Sequence, residues 1–357
     1  MSAGSRLLGA AAAGAGAVAT AALAGVVVER RVVKARRNAL PAVAELGSLR
    51  GRPQQVLTED GVPLHVEVDE RAPYAAGRSD GPEPTIVFVH GYALNLDCFY
   101  FQREHFRGRH RMVFYDQRSH GRSGRSSKEH ATIDQLGRDL RTVLDAVVPD
   151  GPVVLVGHSM GGMTLMALAE QHPDMFGDRV VGAALLSTLA GGLRPHRVLG
   201  SMLPDRLMSA VTPRVVAGLA KAPELVESAR RAGSNVGFLV TDRFAFGDDV
   251  PTSYVEFVDE MLAGTPIDVL AEFFPGFSNL DKFEALAAFA TVPTLVMCGT
   301  RDRLTSVGHS QKMAERIEGS RLVEERGAGH MVILERHDSV NAALDRLVAD
   351  ATKGAAA

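Results

Sequence analysis

The chain has 357 residues, of which 46% are hydrophobic and 23% charged, and its net charge at pH 7 is −3. This length accommodates one large α/β domain with an insertion or two modest domains, and the lack of a basic excess excludes a nucleic-acid partner. The two cysteines, Cys98 and Cys298, lack the spacing of a disulfide framework or a zinc site, and the sequence contains no phosphate-binding glycine loop, so we expect no metal and no cofactor.

The N-terminal segment, residues 1–37, contains an uncharged run from Leu7 to Val28 and then a basic flank. As a helix, this run of about 22 residues would span ~33 Å, enough for the hydrocarbon layer of a membrane. The flank carries more positive charge than the single Arg6 before the run, which favours a membrane anchor with the rest of the chain on the cytoplasmic side. A secretory signal and an Ala-rich tail ahead of the fold are the alternatives, for a secreted or a cytoplasmic protein.

Residues 38–54 contain prolines and glycines and little periodicity, which is typical of a linker. Two short strands, Gln55–Thr58 and Val62–Val68, are predicted on either side of a hairpin turn at residues 59–61. A surface loop follows. The continuous apolar run Thr85–His90 then predicts a strand that is buried on both faces of a parallel sheet.

Further along the chain, predicted strands alternate with predicted helices. The strands are Arg111–Tyr115, Val153–Gly157, Val180–Leu186, Thr294–Gly299 and Arg321–Glu324. The helices are Ile133–Val148, a helix from Met160 onward, and His337–Val348. This alternation predicts an α/β fold with a doubly wound, mostly parallel sheet, whose core comprises residues 55–188 and 289–350 and is followed by a tail at 351–357.

Between residues 189 and 288 the pattern changes to helical segments without strands, which predicts an inserted helical cap. The segments are Val198–Leu207, Pro213–Leu219, Pro223–Arg231, Tyr254–Ala263 and Val269–Phe274. We expect most apolar residues of the cap to form a small core of its own and a minority to line a pocket.

The strand that ends near Gly157 breaks into a Gly-x-Ser-x-Gly turn that closes at Gly161, and a helix begins at Met160. A serine at such a corner has a strained backbone, and the two glycines let neighbouring chain pass close to it. The hydroxyl projects outward at a helix N-terminus, where free N–H groups favour developing negative charge. This context predicts that Ser159 is a nucleophile.

A serine hydroxyl needs a base within hydrogen-bond reach. Among the 12 histidines, His330 lies in a glycine-containing loop past the last strand, at the sheet edge where open α/β folds place their chemistry, and is the predicted base. His337 is the rival candidate but opens the final helix and is expected to face solvent, and His158 is expected only to pack. Asp302, just beyond a strand, is the predicted acid, because Ser159, Asp302 and His330 follow the chain order of Gly-x-Ser-x-Gly hydrolases.

The tetrahedral intermediate of acyl transfer needs two donors for its oxyanion. One predicted donor is the backbone N–H of Met160, the residue after the nucleophile. The other is the N–H of Tyr92, in the loop after the strand Thr85–His90. Gly91 lets the chain turn tightly in this loop, and His90 is expected to anchor the loop by hydrogen bonding.

The chain resembles an α/β-hydrolase with a helical cap and is similar to bacterial esterases, monoacylglycerol-type lipases and cofactor-free haloperoxidases. The matching residues, spread over 55–350, are His90-Gly91-Tyr92, Asp116 to Ser123, Gly157 to Gly162, Gly299 to Asp302 and Gly329-His330. Ser119 departs from the pattern, because the family usually has glycine there in its Asp-x-Arg-Gly-x-Gly-x-Ser turn. The resemblance implies that Asp116 and the turn Gly121–Ser123 shape the sheet edge beside the nucleophile.

These features predict a serine hydrolase that cleaves carboxylic esters through an acyl-enzyme intermediate. The resemblance implies that serine at the nucleophile position disfavours dehalogenase and epoxide-hydrolase chemistry, in which aspartate attacks carbon. Lactonase, thioesterase, carbon–carbon hydrolase and perhydrolase or haloperoxidase activities share the same triad and stay alternatives, as does a ligand-binding module with slow turnover. The apolar cap and the N-terminal segment favour hydrophobic, lipid-like esters as small-molecule substrates.

Overall fold

The computed structural model describes residues 45–73, 83–193 and 241–355. Within these ranges eight strands form one sheet. They are β1 (Arg52–Leu57), β2 (Pro63–Asp69), β3 (Thr85–Val89), β4 (Met112–Tyr115), β5 (Val153–His158), β6 (Val180–Leu186), β7 (Thr294–Gly299) and β8 (Arg321–Glu325). The described helices are α1 (Tyr100–Phe106), α2 (Ile133–Val147), α3 (Met160–Gln171), α4 (Thr252–Gly264), α5 (Ile267–Ser278), α6 (Leu286–Phe289), α7 (Val307–Ala314), α8 (Val332–Glu335) and α9 (His337–Ala355).

The sheet order is β1-β2-β4-β3-β5-β6-β7-β8. The strand β2 pairs antiparallel with β1 and β4, and all pairs from β4 to β8 are parallel. The predicted doubly wound, mostly parallel sheet is therefore confirmed. The strand order reverses around β3, between β4 and β5, and such a switch point leaves a crevice at the carboxyl ends of the strands.

Two hydrophobic cores lie on the two faces of the sheet. One contains Phe88 of β3 and Leu344 of α9, and the other contains Leu144 of α2 and Leu165 of α3. All residues of β3, β5 and β6 are buried, because helices cover both faces of these strands. This explains why their sequences are continuous apolar runs rather than alternating ones.

Several predicted boundaries are wrong, and two of them have a clear physical reason. The strand β1 begins at Arg52 and not at Gln55, because its antiparallel ladder with β2 continues to the pair Arg52 and Val68 inside the predicted linker. The helix α9 continues to Ala355 and so includes most of the predicted tail, where Ala351 is fully buried. The short helices α1, α6, α7 and α8 are not predicted from the sequence. In α1 most side chains are buried, so the helix has no amphipathic period to reveal it.

Two of the predicted cap segments are confirmed as α4 and α5, and the other three, together with residues 194–240, lie outside the described residues. The expectation of a separate cap core is wrong for α4 and α5. Val258 of α4 belongs to the core of the main fold, and Phe273 of α5 packs in a cluster with Met160 and Met163 of α3. Through α5, the described part of the insertion therefore rests against the N-terminal end of α3, at the carboxyl edge of the sheet.

The N-terminal segment 1–37, with the predicted anchor at residues 7–28, also lies outside the described residues. Among the helices of the described ranges, none combines the length and the apolar character needed to cross a bilayer.

Candidate active site

Ser159 lies in the turn between β5 and α3, at the switch point of the sheet. Its backbone has φ 54° and ψ −118°, a region that non-glycine residues rarely adopt, so the turn is strained as predicted. Its carbonyl accepts hydrogen bonds from Gly162 N at 2.9 Å and from the Thr188 hydroxyl at 2.7 Å, and its N–H donates to Leu186 O at 2.9 Å. These bonds hold the strained conformation.

Three glycines let main chain approach Ser159 closely. A Cβ atom at Gly157 would lie 2.6 Å from a backbone nitrogen of the same turn, and one at Gly161 would overlap the Val89 carbonyl. At Gly91 a Cβ atom would lie 3.1 Å from the Ser159 Cβ. The turn and the loop after β3 can therefore pack against each other only when these side chains are absent.

The structure brings Ser159, His330 and Asp302 into one hydrogen-bonded chain. His330 Nε2 lies 2.9 Å from Ser159 Oγ, and His330 Nδ1 lies 2.9 Å from Asp302 Oδ2. The three residues follow the carboxyl ends of β5, β7 and β8, so the parallel sheet carries them to one edge. The His330 side chain is 8% exposed and that of Asp302 is fully buried, which leaves Ser159 at the open end of this chain of hydrogen bonds.

Hydrogen bonds from its own loop hold Asp302 in place. Its Oδ1 accepts from the N–H groups of Leu304 and Thr305, both at 2.8 Å, and its Oδ2 accepts from the Thr305 hydroxyl at 2.7 Å. Burial alone would raise the pKa of Asp302, but the neighbouring His330 and the hydrogen bonds from His330 and Thr305 lower it below its ordinary value. The carboxylate therefore stays ionised and orients the imidazole.

His158, expected only to pack, contacts the loop that carries His330. Its Nε2 lies 3.0 Å from the His330 carbonyl oxygen, and because a carbonyl only accepts, Nε2 carries the proton. Burial lowers the pKa of His158 to about 3, so the ring stays neutral. The rival base His337 lies elsewhere, stacked on Phe101 with 4.0 Å between ring centroids.

The two predicted oxyanion donors flank Ser159. Met160 is the first residue of α3, whose first N–H groups have no intrahelical acceptor. Tyr92 lies in the loop after β3, and its hydroxyl donates to Leu270 O of α5. Within the described ranges, the N–H groups of Met160 and Tyr92 form no backbone hydrogen bond outside helices and strands, which leaves them available to an oxyanion.

His90 connects the loop after β3, which carries Tyr92, to the turn after β4, which carries Gln117. Its Nδ1 donates to Gly91 O at 2.8 Å and its Nε2 accepts from Gln117 N at 2.9 Å. Burial lowers the pKa of His90 to about 4, which keeps the ring neutral and preserves this donor–acceptor pattern. His90 therefore lies where it can anchor the loop and does not face the Ser159 hydroxyl.

The turn that resembles the Asp-x-Arg-Gly-x-Gly-x-Ser pattern keeps its shape despite Ser119. Ser119 has φ 65°, the left-handed region that favours the family's usual glycine. Its Oγ accepts from Ser126 N at 2.9 Å. Asp116 holds the turn from inside, with its two carboxylate oxygens accepting from Leu96 N and Arg122 N, each at 2.8 Å. The serine therefore replaces glycine without loss of the turn.

Cys98 and Cys298 are both buried and unpaired. Within the residues that the structure describes, no three or more His, Cys, Asp or Glu side chains are grouped so as to hold a metal ion.

The profile of the α/β-hydrolase fold family matches residues 84–337. The chain belongs to the α/β-hydrolase fold family. Among curated relatives of this α/β-hydrolase, 3-oxoadipate enol-lactonase 2 of Acinetobacter baylyi is 25% identical over 273 residues, which cover 76% of this chain and 90% of the relative. The monoacylglycerol lipase of Mycolicibacterium smegmatis is 24% identical over 245 residues, which cover 66% of this chain and 76% of the relative.

Among solved structures, a thermophilic esterase from Thermogutta terrifontis superposes with a TM-score of 0.64 at 21% identity, covering 84% of this chain and 99% of that chain. At this identity the likeness shows the fold. Together with the family match and the curated relatives, it confirms the resemblance seen in the sequence and indicates a hydrolase.

Some residues that hold the site of this α/β-hydrolase together are not among those predicted from the sequence. The sequence does contain a local signal for Thr305. An aspartate carboxylate often accepts hydrogen bonds from the backbone N–H groups two and three residues later, and Thr305 stands three residues after Asp302. His158 had no such signal, since it contacts main chain that only the folded sheet brings near.

Proposed function

We propose that this α/β-hydrolase is a serine esterase that cleaves carboxylic esters through an acyl-enzyme intermediate. The observation that carries the proposal is the chain of two 2.9 Å hydrogen bonds from Ser159 Oγ through His330 to Asp302. Nucleophile, base and orienting acid in this geometry are the parts required for acyl transfer.

In the proposed reaction Ser159 Oγ attacks the ester carbonyl carbon while His330 Nε2 takes the hydroxyl proton. The ionised Asp302 stabilises the imidazolium that forms. The N–H groups of Tyr92 and Met160 donate to the oxyanion of the tetrahedral intermediate. His330 then gives its proton to the alcohol as the carbon–oxygen bond breaks, and afterwards activates the water that hydrolyses the acyl-enzyme.

The apolar surroundings of the elbow, the turn from Gly157 to Gly161 around Ser159, support a hydrophobic acyl group. Met160, whose N–H is a proposed oxyanion donor, and Met163 of α3 belong to a cluster with Val269, Phe273 and Phe277 of α5. The monoacylglycerol lipase among the relatives is consistent with this preference. The enol-lactonase relative favours lactones as a second substrate class, because a lactone is a cyclic ester that the same machinery opens.

The test is a panel of p-nitrophenyl esters of increasing acyl length. Lactones, thioesters, substrates of carbon–carbon hydrolases and a peroxide acceptor are assayed in parallel. We expect ester turnover that Ser159→Ala reduces by at least ~10⁴-fold, the scale of nucleophile loss in serine hydrolases. Folded wild-type protein without turnover of any ester or lactone contradicts the proposal, and ligand binding without turnover then supports a binding module.

A matched control is Ser187→Ala. Ser187 follows the next strand, β6, is fully buried and has φ 43°, so it shares the strained backbone of Ser159 without its contact to His330. Ester turnover and labelling by a fluorophosphonate should survive in Ser187→Ala and disappear in Ser159→Ala.

The membrane anchor proposed for residues 7–28 has a separate test. Deletion of residues 1–37 should move the protein from the membrane fraction to the supernatant while ester turnover is retained. Membrane association of the truncated chain contradicts the anchor.

A further inference from the structure

The loop that carries His330 packs directly on the insertion, through the segment that leads into α4. Met331 N–H donates to Ala245 O at 2.8 Å. A Cβ atom at Gly329 would lie 2.5 Å from Gly247 N, so the two main chains touch with no side chain between them. The position of the base loop therefore depends on where this segment of the insertion lies.

One carboxylate joins the two segments. Glu335 Oε1 accepts from Gly329 N at 2.6 Å and from Gly247 N at 3.2 Å, and its Oε2 accepts from Gly247 N at 3.2 Å and from Asp248 N at 3.3 Å. Gly329 immediately precedes His330. A carboxylate suits this place because it only accepts, and all of the groups that it meets are donors.

We propose that Glu335 is a positioning residue for the base: by tying Gly329 to the insertion, it keeps His330 between Ser159 and Asp302. The inference rests on the proposed function, in which His330 is the base. Glu335 sits in α8 and acts through the backbone of the loop. Its role is therefore to hold the imidazole in register, and the insertion becomes part of the scaffold of the site.

The amide variant Glu335→Gln isolates this role because it has nearly the same shape. In either orientation of the amide its NH₂ group faces a backbone N–H, either that of Gly329 or that of Asp248, so one contact becomes repulsive. The loop should then relax, and the imidazole should move away from Asp302.

The experiment measures kcat and KM for a p-nitrophenyl ester from pH 5 to 9, with active sites counted by the endpoint of fluorophosphonate labelling. Per labelled site, we expect kcat to fall ~10-fold at unchanged KM, which is part of the 10²–10⁴-fold that general base catalysis supplies. The acid limb of kcat/KM should move to lower pH, because an imidazole displaced from Asp302 is less readily protonated. A loss of folded protein alone lowers the number of labelled sites and leaves the limb in place.

The matched control is Glu324→Gln. Glu324 is an exposed carboxylate of β8 that accepts from the Gln311 side chain at 2.8 Å, and its replacement should leave kcat and the pH profile unchanged. If Glu335→Gln yields no labelled sites, Glu335→Asp keeps the acceptor but shortens its reach and should show the same shift of the limb with a smaller fall in kcat.

An unshifted acid limb in the folded Glu335 variant overturns the positioning role, whatever happens to the yield of protein. Failure of the proposed function is distinguishable, because then the wild-type protein itself shows neither ester turnover nor labelling.

Discussion

The elbow around Ser159 and the loop around His330 hold the two ends of one hydrogen bond, yet different parts of the chain fix them. The elbow is restrained by its own turn and by the neighbouring strand, through Gly162 and Leu186. The His330 loop is restrained from a distance, by His158 at the elbow and by the insertion through Glu335. The sheet therefore positions Ser159, whereas long-range contacts position His330, and a change in the insertion should move His330 without moving Ser159.

The largest expected effect on kcat is that of a substitution at Asp302, the hydrogen-bond partner of His330. Asp302→Asn replaces an acceptor of the His330 Nδ1 proton by an amide and favours the wrong tautomer, so kcat should fall by about 10⁴-fold. Steady-state kinetics with a p-nitrophenyl ester measures this. Asp150→Asn, at an exposed loop position, is the control and should be unaffected. A fall of less than about 10-fold would mean that Asp302 does not orient the base.

A substitution in the elbow should lower the stability of the protein more than it lowers the activity. Gly161→Ala pushes a methyl group into the Val89 carbonyl, and such overpacking should lower the free energy of unfolding by about 3 kcal/mol. Urea titration measures it. Gly308→Ala in α7, where a Cβ atom has no neighbour within 4 Å, should instead stabilise the protein by about 0.5–1 kcal/mol. Equal stability of the two variants contradicts the close packing inferred at the elbow.

A substitution at Tyr92 should have a smaller effect. It tests whether the insertion, which also contacts the loop after β3, helps to position that loop as well. Tyr92→Phe keeps the backbone N–H but removes the hydroxyl that donates to Leu270 O, a hydrogen bond worth about 1 kcal/mol. We expect kcat to fall by about fivefold at most. Tyr254→Phe, a tyrosine of α4 that packs on Phe101, is the control. A loss as large as that of Glu335→Gln would mean that the insertion positions both sides of the site.

The pH profile of the unmutated protein tests how many histidines near Ser159 change their charge during the assay. Burial lowers the pKa of His90 to about 4 and that of His158 to about 3, so both of these histidines near Ser159 stay neutral between pH 5 and 9. The acid limb of log kcat/KM should therefore have a slope of one, and a slope of two would show that a second histidine titrates.

The same shifts predict the stability of the protein in acid. Both folded-state pKa values lie below the unfolded value of about 6.5, so the unfolded chain binds more protons and stability falls as pH decreases from about 6.5 toward 4. Each of the two histidines contributes about 1.4 kcal/mol per pH unit in this window. Urea titrations at pH 7 and pH 5 measure the change, and equal stability at the two values would contradict burial of the neutral rings.

Much of the fold could be predicted from the sequence because its signals are local. The strands β3, β5, β6 and β7 are unbroken apolar runs, and the elbow is a contiguous motif between a strand and a helix. The predicted chain order of Ser159, Asp302 and His330 corresponds to the three side chains that the structure brings together. The start of β1 could not be predicted, since its first residues are exposed polar ones that become a strand only by pairing with β2.

What the sequence by itself determined is the doubly wound α/β sheet and the strained serine corner, because each depends on periodicity or on neighbours along the chain, and the resemblance to α/β-hydrolases implied the candidate triad. Only the tertiary structure decided how the His330 loop is held. Its contacts join Glu335 to Gly247 and His158 to His330. These residues are 88 and 172 positions apart in the sequence, separations over which no local pattern carries information. These contacts exist because the parallel sheet gathers the carboxyl ends of its strands at one edge, and the insertion packs on that edge.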